Sequence, residues 1–322
     1  MTPSSIFQIN DEQGFNALAL EIFHHQAQAC PPYASFLAHL GRPCPRHYQE
    51  IPCLPISAFK SHEVYIGSRS PDVLFTSSGT TGSTPSRHAV KDLALYEQSF
   101  KTHFSWRYGP PKDWCILALL PSYLEREGSS LIYMVDHLIK ASSHPDSNFF
   151  LNEHHVLAET LMKLKSRGQK TMLIGVSFAL LDFVDQFSMD LPDLVVMETG
   201  GMKGRKKELV REDLHALLCQ GFNVAQIHSE YGMTELLSQA YSLGAGRFNT
   251  PPWMKVLVRE VNDPFRMLSA GHSGGLNLVD LANVNSCAFI ACDDLGKLHE
   301  DGSFEVLGRF DHSDMRGCSL LV

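Results

Sequence analysis

The feature that most constrains this chain is a series of short apolar runs, each separated from the next by a stretch that is apolar on one side only. CILALLP (115–121), TMLIGV (171–176) and LVVMETGG (194–201) have the length and composition of buried strands. Between them, GSSLIYMVDHLIKA (128–141) puts Leu131, Val135, Leu138 and Ile139 on one helical side. Residues 152–168 read as a helix capped by Asn152 and stopped by Gly168, and 177–187 as another. A further helix over 205–219 is stopped by Gly221, and FNVAQIHSEYG (222–232) reads as a strand opening into a turn. Strands separated by helices of this length are joined by crossovers, so they pair in parallel. The expected fold is therefore α/β, with a mostly parallel sheet flanked by helices. Ligands of such sheets bind at the carboxyl ends of strands, where TGG and EYGMTE both fall.

The flanks read differently. A first helix begins near Asp11 with Phe15, Leu18, Ala19 and Ile22 on one face, and the proline-rich stretch 31–55 reads as an irregular arm. After Thr250 come glycine-rich turns, a hairpin around His299–Gly302, and the ending GRFDHSDMRGCSLLV. The expected organisation is a core over 1–250 that includes an N-terminal arm (1–58), a small β subdomain over 251–307, and a tail over 308–322.

A net charge of −8 lacks the basic footprint of nucleic-acid binding, so positive charge toward an anionic substrate must be gathered locally. Arg87-His88 and Arg205-Lys206-Lys207 are such clusters. The eight cysteines form no Cys-x-x-Cys pair and no zinc spacing, and no signal peptide is visible. Reduced thiols in the cytoplasm are the expectation. No apolar run approaches the length of a membrane span.

Three stretches carry possible chemistry. In LFTSSGTTGSTPSRHAV, glycines and hydroxyls at Ser77, Ser78, Gly79, Thr80, Thr81 and Gly82 can surround phosphate oxygens, although such a loop can equally be a plain connection. In HSEYGMTE (228–235), Tyr231 could stack on a base, Gly232 permits close backbone approach, Thr234 could bond a phosphate and Glu235 could hold Mg²⁺. The alternative is a strand-to-helix turn capped by Thr234 or Glu235. In CDDLG (292–296) and GRFDHSD (308–314), Asp294 can accept both hydroxyls of a ribose and Arg309 can meet a charged oxygen; as isolated strings these are turn residues.

Taken in order, SSGTTG, TGG, YGMTE, DDLG and GRFD resemble the signatures of the adenylate-forming enzymes, from about Phe59 to the end. LFTSSGTTGSTPSRHAV, METGGMKGR (197–205) and GRFDHSDMRGCSL (308–320) are most similar to the acyl-protein synthetase (LuxE-type) branch. That resemblance implies the N-terminal domain fold of adenylate-forming enzymes and use of ATP and Mg²⁺. It implies activation of a carboxylic acid, in this branch a fatty acid, as an acyl-adenylate. Residue by residue, it implies that Ser77 to Gly82 bind the β- and γ-phosphates and that Gly200 and Gly201 line the adenine and acyl site. Tyr231 would pack on adenine, Thr234 would contact the α-phosphate, Glu235 would ligate Mg²⁺, Asp294 would hold the ribose and Arg309 would sit beside it. Cys318 matches the acyl-carrying cysteine. The acceptor would be Cys318 and then a partner reductase, or CoA or a carrier protein directly. A catalytically reduced nucleotide-binding subunit is the contrasting expectation.

Two departures from the wider pattern stand out. The sequence ends soon after the hinge motif, so a full-size lid carrying a catalytic lysine is expected to be absent. The usual lysine after the phosphate loop is replaced by Ser86-Arg87-His88. Arg87, His88, Lys203, Arg205 and Arg309 are the candidate cations, with Lys203 expected to stand in for the missing lysine unless the 203–207 charges are a solvated helix face.

Overall fold

The apolar runs become the strands Cys115–Leu119, Thr171–Val176, Val195–Thr199 and His228–Tyr231, with Asn148–Phe150 beside the first. A computed structural model describes residues 3–77, 84–120, 128–200 and 209–310. By contacts the chain divides into two units, Gly67–Pro251 and Thr2–Ile66 together with Pro252–Val322.

In the first unit the strands run in the order Phe248–Asn249, Ala240–Ser242, His228–Tyr231, Val195–Thr199, Thr171–Val176, Cys115–Leu119, Asn148–Phe150. The five strands from His228–Tyr231 to Asn148–Phe150 are parallel, and the other two are antiparallel. Cys115–Leu119 and Thr171–Val176 are buried along their whole length, as strands covered on both faces must be. After Cys115–Leu119 the chain adds Asn148–Phe150 on one side and then Thr171–Val176 on the other. A reversal of this kind is where open α/β sheets bind ligands, at the carboxyl ends of the strands. A separate antiparallel pair, Val73–Thr76 with Arg87–Val90, flanks the hydroxyl-rich loop.

Several boundaries differ from the sequence expectation, each for a local reason. The helix His154–Ser166 is preceded by Glu153, whose carboxylate accepts from the Leu151 and Asn152 amides at 2.8 and 3.1 Å, so Asn152 is not its cap. The helix Arg211–Phe222 runs through Gly221 and is capped by Asn223 in the left-handed region at φ 53°. Gly221 serves packing instead of stopping the helix: a Cβ there would lie 2.5 Å from the Val184 Cβ on the helix Ser177–Gln186. No helix follows Tyr231; residues 232–239 turn back into the antiparallel strand Ala240–Ser242. The helix-capping alternative for Thr234 and Glu235 is therefore excluded.

In the second unit, Asp11 caps the helix Glu12–Ala29, accepting from the Gly14 amide at 2.7 Å. Phe15, Leu18, Ala19, Ile22, Phe23 and Gln26 are its buried side. Pro31–Leu40 is a helix and not an irregular arm, because proline in the first turn lacks only an N–H that has no helical partner. The strands Met254–Arg259, Met267–Leu268, Ser273–Asp280, Phe289–Leu298 and Phe304–Arg309 pair antiparallel, and Leu54–Pro55 joins Ile290–Ala291 in parallel. Gln26 explains why the N-terminal residues group here and not as an arm on a 1–250 core. Its amide donates to the carbonyls of Asn283 and Val284 at 2.8 and 3.2 Å and accepts from the Ala288 amide at 3.0 Å. The hairpin expected near His299–Gly302 joins Phe289–Leu298 to Phe304–Arg309.

Candidate functional site

The hydroxyl-rich loop is closed at its base by a two-way contact. The Ser77 amide donates to the Ser86 carbonyl at 3.0 Å, and the Ser86 amide donates to the Ser77 hydroxyl at 2.8 Å. Ser78, Gly79, Thr80, Thr81 and Gly82 lie outside the described residues. On the returning strand Arg87 is exposed and His88 is buried. His88 Nδ1 lies 2.8 Å from the Thr234 carbonyl, which can only accept, so the imidazole donates there. Burial pulls the His88 pKa down to about 4, opposed by that hydrogen bond. The ring is neutral at pH 7, which corrects the expectation of a cation at this position. The bond joins two sequence motifs 146 residues apart.

Around the YGMTE turn, Tyr231 is half-buried with its ring 5.8 Å from that of Phe248, Thr234 is half-buried and Glu235 is buried. A Cβ at position 232 would fall 2.5 Å from Glu230 Oε1, so the glycine makes room for a carboxylate.

Sequence reasoning missed that carboxylate and its neighbour. Glu198 and Glu230 sit on adjacent parallel strands, with Glu198 opposite Ser229 and Thr199 opposite Glu230. Glu230 is pushed up to about 7 by burial, with the Thr199 hydroxyl, donating at 2.5 Å, opposing and the Glu198 charge adding. Glu198 accepts from Ser177 at 2.8 Å and Ser229 at 3.2 Å, and His215 Nε2 stands 3.6 Å away, beyond hydrogen-bond reach. The signal in the sequence was a glutamate in each of two otherwise strand-like runs, since a carboxylate is buried only where donors compensate.

Gly200 adopts the left-handed region at φ 70° directly after the strand Val195–Thr199, while Gly201, Lys203 and Arg205 lie outside the described residues. In the second unit Asp294 and Arg309 are not turn residues. They face each other across paired strands, with Arg309 Nε donating to Asp294 Oδ1 at 2.9 Å. Asp294 is buried and Arg309 exposed. Cys318 also lies outside the described residues. Cys115, Cys287 and Cys292 are buried, and burial pushes the Cys115 thiol up to about 11, which suits inert packing. Among the described residues no group of three or more His, Cys, Asp or Glu is placed to hold a metal.

The model of the LuxE acyl-protein synthetase family matches residues 3–322. This chain belongs to that family. A relative from Vibrio harveyi, a long-chain-fatty-acid–luciferin-component ligase, is 24% identical over 299 residues, covering 84% of this chain and 77% of its own. Among solved structures, a 2-hydroxyisobutyryl-CoA ligase in the postadenylation state superposes with a TM-score of 0.67 at 11% identity, over 93% of this LuxE-family chain and 68% of that one. ATP-bound MatB from Rhodopseudomonas palustris superposes with a TM-score of 0.55 at 17% identity, over 76% of this chain. The LuxE-family chain spans about half the length of the MatB structures it matches. The shared fold is that of adenylate-forming ligases. Among the described residues no helix is long and apolar enough to cross a membrane.

Proposed function

We propose that this chain activates a carboxylic acid with ATP and passes the acyl group to a thiol. An acid carboxylate attacks the α-phosphorus, pyrophosphate leaves, and a thiolate then displaces AMP to form a thioester. The name of the Vibrio harveyi relative supports a long-chain fatty acid as the substrate class. Cys318 is the proposed thiol and an acyl-accepting protein the proposed partner.

The observation that carries this reading is the hydrogen bond from His88 to the Thr234 carbonyl. It sets the base of the hydroxyl-rich loop against the turn that holds Tyr231, Thr234 and Glu235, the arrangement a polyphosphate and its adenine need. Ser77 to Gly82 are assigned to phosphate, Gly200 and Gly201 to the adenine and acyl site, Tyr231 to adenine stacking and Thr234 to the α-phosphate. Glu235 would hold Mg²⁺; one carboxylate completed by phosphate oxygens and water is a donor set that ion accepts. When bound, Mg²⁺ would neutralise phosphate charge. With His88 neutral, Arg87 and Lys203 are the proposed protein cations. The ribose role of Asp294, with Arg309 beside it, is proposed from the family resemblance.

The test is acid-dependent ATP–pyrophosphate exchange across a panel of carboxylic acids, followed by labelling with the radiolabelled acid. A hydroxylamine-sensitive adduct that is lost in Cys318→Ser is expected. Exchange with no acid in the panel would reject activation, and an adduct that survives Cys318→Ser would reject that thiol in favour of CoA or a carrier protein.

A further inference from the structure

Glu198 has no assigned part in the chemistry above, yet it is the acid at the centre of the strand-end network. Its neighbours on the same strand, Val196 and Met197, are buried and apolar. An apolar residue would pack there at lower cost, because a buried carboxylate must have its lost hydration replaced by donors. Two of those donors are hydroxyls, Ser229 at 3.2 Å and Ser177 at 2.8 Å. Ser177 is the informative one. Its hydroxyl lies 2.8 Å from Glu198 Oε2 and also 2.8 Å from the carbonyl of Gly200. Gly200 is exposed and left-handed, and its carbonyl is held from within by the Ser177 hydroxyl.

We propose that Glu198 is a positioning residue for nucleotide binding, acting through Ser177 to fix the Gly200 carbonyl. The inference rests on the reading of Gly200 as part of the adenine and acyl site. Ser177 has a single hydrogen for two acceptors, so the carboxylate fixes the Ser177 rotamer while the hydrogen is shared with Gly200. A glutamine at 198 can donate its amide to the Ser177 oxygen and leave that hydrogen to Gly200. An alanine can do neither.

The experiment uses the full chain, with the KM for ATP from pyrophosphate exchange and the Kd of Mg·ATP from calorimetry. Ser177→Ala and Glu198→Ala are each expected to raise both constants about tenfold, while kcat per folded protein changes less than threefold. Glu198→Gln is expected to stay within about threefold of the parent. The double alanine variant should be no weaker than either single one, since both break one linkage. Unchanged constants in the folded single variants would overturn the proposal, as would multiplicative losses in the double, or a Glu198→Gln variant as weak as alanine. Should Glu198→Ala fail to fold, Ser177→Ala and Glu198→Gln decide the matter alone. A parent protein that neither exchanges nor binds Mg·ATP would instead remove the functional reading itself.

Discussion

Replacing Glu230 by glutamine isolates the cost of a half-buried, desolvated acid at the site. In the folded chain its pKa is about 7 against an ordinary 4.5, mainly because burial disfavours the charged form. The sign follows from which state releases the proton first. Below pH 4.5 both states are protonated and the group is neutral to stability. As pH rises from 4.5 to about 7, the unfolded chain ionises while the folded one holds its proton, so stability falls. Above about 7 the folded protein carries the charge and the loss reaches its full value. Between pH 5 and pH 8 this group removes about 2–3 kcal/mol of stability. Glutamine keeps the shape and an acceptor for the Thr199 hydroxyl and cannot ionise. Urea unfolding of parent and Glu230→Gln at pH 5 and 8 should show the variant gaining about 2–3 kcal/mol on the parent over that interval. The offset at pH 5 is immaterial; the change with pH is the prediction. A difference constant within about 0.5 kcal/mol would mean that Glu230 is hydrated or paired in the folded state, and would refute the reasoning.

Four further outcomes follow. His88→Ala removes a buried ring and the donor to Thr234, so urea midpoints should report a loss of about 2–4 kcal/mol and exchange kinetics a higher KM for ATP. Gly221→Ala drives a methyl toward Val184, and thermal unfolding should show about 1–3 kcal/mol of overpacking cost. Gln26→Leu strands the Val284 carbonyl and the Ala288 amide and leaves the Asn283 carbonyl with the Ser286 amide as donor, so denaturant melts should show a loss of about 2–4 kcal/mol. On acidification, the buried His88 and His103 and the half-buried His228, with pKa values near 4, 3 and 4, stay neutral in the folded chain while the unfolded chain takes up protons below 6.5. Stability should therefore fall from pH 6.5 toward pH 4.5, opposed by Glu230, with a net slope of about two protons from these four groups.

The sequence alone determined the repeating units. Apolar runs without helical spacing became Cys115–Leu119 and Thr171–Val176, and the spacing of Phe15, Leu18, Ala19 and Ile22 became one buried helix face, because these patterns are written in neighbouring residues. The ordered motifs likewise fell at strand ends, Gly200 after Val195–Thr199 and Gly232 after His228–Tyr231. What the sequence misplaced depended on partners far along the chain. Gly221 read as a stop until Val184 packed against it, and the N-terminal helix read as part of an arm until Gln26 met Asn283, Val284 and Ala288. His88 read as a cation until burial against Thr234 made it neutral. Glu198 and Glu230 were plain letters in strand-like runs, and only strand pairing surrounded them with Ser177, Thr199 and Ser229. Local periodicity is fixed by covalent neighbours, whereas ionisation and hydrogen bonding depend on which distant groups exclude water, and folding alone decides that.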